Sequence, residues 1–203
     1  MKHHLNALAA VMLSAMVFVA PPAIAQAEDA ALSEIRKAVL GRWVASTLQE
    51  ARTPDGSATA YLQLSVTFTP EIETLQVAAF NDREMRQPLF TYNSAGPYRF
   101  RSQSAVVAGA FEADLENTSS LFTIHVDAPP IWRALNLGTC PLVVGQAVEI
   151  SGCVSGPPFN TSNCVDMDLI HVEGDRLRFG DQRVDRCRER PQTLDRTIFI
   201  RAQ

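Results

Sequence analysis

From Trp43 onward strand-like runs recur roughly every eight to fifteen residues, cut by turn-forming text and with no long helical pattern between them. The cuts read TPDGS, NSAGP, DAPP, VSGPPFN and VEGDR. Between them lie β-branched and aromatic runs of strand length: 43–48, 60–68, 74–80, 89–92, 98–102, 106–115, 121–126, 142–150, 165–172, 176–179 and 197–201. Strands joined by short turns pair antiparallel, because a parallel pair needs a long crossover. The expected fold class is therefore all-β, an antiparallel meandering barrel, with a β-sandwich as the alternative.

One helix precedes the strands. In ALSEIRKAVL, Leu32, Ile35, Val39 and Leu40 recur at helical spacing, with Asp29 or Ser33 as candidate caps and Gly41 as the stop. Gly41 then begins Gly-Arg-Trp, so a large flat side chain, Trp43, sits at the start of the first strand. An open barrel end needs such a plug, since an indole covers much area at low entropic cost. Arg201, on the last strand, carries a guanidinium able to stack on that ring. A helix followed by Gly-x-Trp, with an Arg on the terminal strand, resembles the lipocalin-type, or calycin, β-barrel. The resemblance implies that Gly41, Trp43 and Arg201 close the barrel. The Thr-Asp-Tyr signature of that family is absent; TYNSAGPY lacks the Asp.

The N-terminus reads as an export signal over residues 1–25: Lys2, an apolar run, Pro21-Pro22, and the small-x-small text Ala23-Ile24-Ala25. The apolar run is too short for a spanning helix, so no transmembrane segment is expected. Residues 26–203 are expected to form a single barrel domain in the periplasm or outside the cell. The net charge of −4 argues against nucleic acid as a partner.

Four cysteines in an exported chain point to disulfides. None of the spacings of Cys140, Cys153, Cys164 and Cys187 is Cys-x-x-Cys, and neither a metal nor a cofactor is implied. A turn at Gly145-Gln146 would bring Cys140 and Cys153 nearly opposite each other, and one at Gly174-Asp175 would do so for Cys164 and Cys187. The rival pairing joins Cys153 to Cys164 and Cys140 to Cys187, stapling the VSGPPFNTSN loop, and a crossed form joins Cys140 to Cys164 and Cys153 to Cys187.

Residues able to carry chemistry are few. In LFTIHVD, His125 shares a face with Thr123 and Asp127 and reads as surface. In VDMDLIHV, His171 shares a face with Met167 and Leu169, which reads as the inward face of its strand. Asp166 and Asp168 fall on the other face, read as solvated. The arginines of RVDRCRERP interleave with acids and read as a self-neutralised surface loop. No catalytic motif appears. The expected function is binding of a small apolar molecule within the barrel, with Met167, Leu169 and His171 as lining residues. The alternatives are a protein-interaction or protease-inhibitor-like barrel, with a protein as partner, and a barrel-scaffold enzyme using His171.

Overall fold

The computed structural model describes residues 22–52, 59–154 and 164–203. The expected export signal, 1–25, lies outside these residues except for its last four, and most of the VSGPPFNTSN loop lies outside them as well. Helix α1, Pro22–Ala38, begins well before Asp29 and Ser33, so neither caps it. Proline at its first position fits, because the missing N–H is one that no helix uses.

Eight strands close an antiparallel barrel: β1 Gly41–Ala45, β3 Thr59–Phe68, β4 Ile72–Phe80, β5 Pro88–Gln103, β6 Ala110–Glu116, β9 Val165–Glu173, β10 Arg176–Phe179 and β11 Phe199–Arg201. They pair in that order, and β11 returns to β1 with Trp43 opposite Arg201. The remaining strands, β2 Gln49–Arg52, β7 Ser119–Ile124 and β8 Ala147–Glu149, extend this sheet. A second helix, α2 Pro129–Ala134, forms where DAPP reads as a turn, again with proline in the first turn.

β5 is the main departure from the expected strands. NSAGP is not a break but the middle of one 16-residue strand. One edge of β5 pairs with β4 from Pro88 to Pro97, while the other passes from β7 to β6 near Gly96. A Cβ at Gly96 would stand 1.7 Å from the carbonyl oxygen of Glu116, so the close approach there admits only glycine. The handover separates two cores. Within the barrel, Trp43, Val66, Phe68, Phe100, Phe111, Ile170, Leu177 and Phe199 pack together and against Ile35 of α1 and Val39 just after it. Beyond it, Phe90, Phe122, Ile124, Trp132, Leu137 and Ile150 form a second cluster on the β5–β7–β8 extension.

Where α1 meets the barrel, the Arg201 guanidinium carbon lies 4.0 Å from the centre of the Trp43 ring. Arg201 donates to the carbonyls of Leu40 at 2.6 Å and Ala38 at 2.7 Å, while the indole N–H donates to Val39 at 2.7 Å. The last carbonyls of a helix have no partner within it, and here side chains of β1 and β11 supply the donors.

Both disulfides join cysteines local in sequence, Cys140 to Cys153 and Cys164 to Cys187. The turn at Gly174 forms as expected, with Glu173 facing Arg176, but its ladder ends at Phe179, short of Cys187, and the hairpin expected at Gly145 does not form. The chain does turn there, with Gln146 donating to Val143 at 3.1 Å. β8, however, pairs with β7 rather than with residues 140–144. Cys140 and Cys153 instead close turns after α2 and β8, donating to Leu137 and Ile150 at 3.0 Å each. Among the described residues, no helix is long and apolar enough to cross a membrane.

Candidate functional site

A cavity of about 890 Å³ opens within the barrel. Leu64 and Leu75 on β3 and β4, Leu115 on β6, Phe179 on β10 and Phe199 on β11 form its apolar lining. Charged residues stand among them. Glu73, Asp166, Asp168 and Arg186 all border the cavity, as do Glu50, Glu116 and Asp195.

The face of β9 that looks inward reverses the expectation. Leu115 pairs with Asp166, Ala113 with Asp168 and Phe111 with Ile170. Directly paired residues share a face, and those partners belong to the barrel core. Asp166 and Asp168 therefore point in, and Met167, Leu169 and His171 point out, so none of these three lines the cavity. Alternation separates two faces but carries no label for the inner one, and this strand has apolar residues on both. Leu169 is nonetheless fully buried. His171 lies beside Gly109, whose missing side chain leaves room for the ring. His125, half-buried, meets the Thr91 hydroxyl at 3.0 Å and does not line the cavity.

The segment after β10 explains how carboxylates come to be enclosed. At Gly180 the chain leaves the ladder, and the Gly180 N–H donates to Asp168 Oδ1 at 2.8 Å. A Cβ at Gly180 would lie 2.6 Å from that oxygen and equally close to Pro191. Asp168 also accepts from Arg186, which reaches Asp166 Oδ2 at 2.9 Å with its other terminal nitrogen. The Cys164–Cys187 bridge, next in sequence to Arg186, pins this strap beside β9. Outside the barrel, Arg190 donates to the carbonyl of Ala113 and to Asp114 Oδ1, each at 2.7 Å.

RVDRCRERP is thus only partly the surface loop its sequence suggests. Arg183 and Arg188 pair locally with Asp181 and Asp185. Arg186 and Arg190 pair instead with acids far away in sequence, a match that interleaved charges cannot reveal.

The wall is electrostatically uneven. Burial raises Asp166, and Arg186 beside it only partly offsets that. Glu73 is pushed up to about 8, first by burial and then by the neighbouring Asp166, with Arg186 opposing. At neutral pH its carboxyl is therefore mostly protonated and offers the cavity a hydrogen-bond donor. Glu73 escaped the sequence reading because, on its own strand, it is one acid in a stretch of otherwise ordinary alternation. Strongly shifted groups in a cavity mark functional sites more often than chance allows.

No protein-family model matches the chain, and no curated protein matches it.

Proposed function

We propose that this barrel is a calycin-type carrier, exported from the cytoplasm, that binds one small and largely apolar molecule without transforming it. The cavity carries this reading: about 890 Å³ lies within the usual range of small-molecule sites, with apolar walls and a few convergent polar groups. The calycin assignment draws support from Arg201 stacked on Trp43 where the N-terminal helix meets the closed barrel. Two disulfides fit an oxidising compartment. The enzyme alternative loses its proposed base, since His171 faces away from the cavity.

The test is binding of the neutral fluorophore N-phenyl-1-naphthylamine, compared between two variants with unchanged melting curves. Leu75→Trp fills the cavity and is expected to weaken binding at least tenfold. Met167→Trp, on the outer face, is expected to leave it intact. No binding to the wild-type protein, or wild-type affinity in Leu75→Trp, overturns the proposal.

A further inference from the structure

We infer that the molecule taken up carries a single positively charged amine, seated between Glu73 and Asp166. This rests on the small-molecule reading above and names the chemical class of the ligand.

Three observations converge. The Glu73 side chain is half-buried, lines the cavity, and makes neither hydrogen bond nor ion pair among the described residues. Oδ1 of Asp166 is fully buried and likewise has no partner, its other oxygen being taken by Arg186. Finally, among the described lining residues Arg186 is the one cation set against six acids, and both of its terminal nitrogens are committed to Asp166 and Asp168. Buried polar groups are nearly always hydrogen-bonded, so the unpartnered buried oxygen of Asp166, beside an unpartnered Glu73 carboxyl on the cavity wall, is an unfilled binding requirement.

An ammonium group meets that requirement with up to three donors and one charge. Its hydrocarbon portion would lie against Leu75 and Leu115. A metal ion fits less well, because it needs several oxygens converging at short range. Among the described residues no three His, Cys, Asp or Glu side chains come together in that way. In the empty protein a proton on Glu73 relieves the excess of negative charge. The amine replaces that proton, which leaves to solvent. The charged groups acting on Glu73 are Asp166 and Asp168 from β9 and Arg186 from the strap, with Glu50, Glu116 and Asp195 along the cavity wall.

Isothermal titration of the full protein with octylammonium, 1-octanol and octanoate tests the inference. At pH 9 octylammonium is expected to bind at least tenfold more tightly than 1-octanol, with octanoate weakest. Below pH 8 its affinity is expected to fall about tenfold per pH unit. At pH 7, titration in buffers of different ionisation enthalpy should register about one proton released per ligand bound. Glu73→Gln should keep 1-octanol binding and lose both the amine preference and its pH dependence. Should that variant not fold, the wild-type pH series and proton release decide alone. Equal affinity for octylammonium and 1-octanol overturns the amine assignment and leaves the small-molecule reading standing. Absence of binding by all three probes overturns both.

Discussion

Trp43 shows how much one side chain can organise. It fills the barrel core, donates to the last turn of α1, and offers its face to the Arg201 guanidinium. Removing it leaves a large void and strips α1 of a carbonyl partner. Trp43→Ala is expected to cost about 3–5 kcal/mol, read from the denaturation midpoint; a loss below about 1 kcal/mol would contradict this role. Residues such as Trp43 are legible in sequence because their size and local setting restrict what they can do. Arg186 and Arg190 are not, because a guanidinium donates to any carboxylate within reach. Which one it meets depends on how residues 180–191 wrap β9.

Elements show the same division. The β9–β10 hairpin was readable because Gly174 sets the turn, and the turn sets the register. β5 was not readable, because Gly96-Pro97 is turn text in isolation and becomes strand only with β4 along one edge and β6 and β7 along the other. The extension beyond Gly96 has its own apolar cluster and its own bridge, Cys140–Cys153, linking the ends of α2 and β8. Replacing both cysteines by serine removes about 3 kcal/mol of chain-closure stabilisation. That loss should appear as faster amide exchange in β7, β8 and α2, with β1, β10 and β11 still protected. Equal acceleration in all these strands would show that the two cores unfold as one unit.

For the molecule as a whole, the enclosed acids make stability depend on pH. Glu73 ionises near its ordinary value of 4.5 in the unfolded chain and near 8 in the barrel, so between these limits the folded state holds the extra proton. Stability is therefore expected to fall as pH rises from about 4.5 to 8, and to show no further loss from this group above that. Asp114 contributes in the opposite sense: burial raises it, but hydrogen bonds from Arg190 and Arg101 prevail and hold it below the usual range, so its stabilisation is lost in acid. Melting curves of wild type and Glu73→Gln from pH 2 to 9 separate the two. The variant should lose the decline toward pH 8 and keep the loss at the acid end. An unchanged decline in Glu73→Gln would assign it to another group.

The sequence by itself determined the antiparallel β class, the helix leading into Gly41 and Trp43, and the placing of an arginine on the strand that closes the circuit. Turn chemistry, alternation and side-chain size act over a few residues and are visible there. Only the tertiary structure decided which face of each strand is the interior. Strand alternation is symmetric between its two faces, and β9 presents Met167 and Leu169 on one, Ile170 and Val172 on the other. Pairing with Phe111 and Ala113 on β6 and with Leu177 and Phe179 on β10 broke that symmetry. It turned Asp166 and Asp168 inward, to the cavity that Leu64 and Leu75 also line, because register is settled between strands rather than within them.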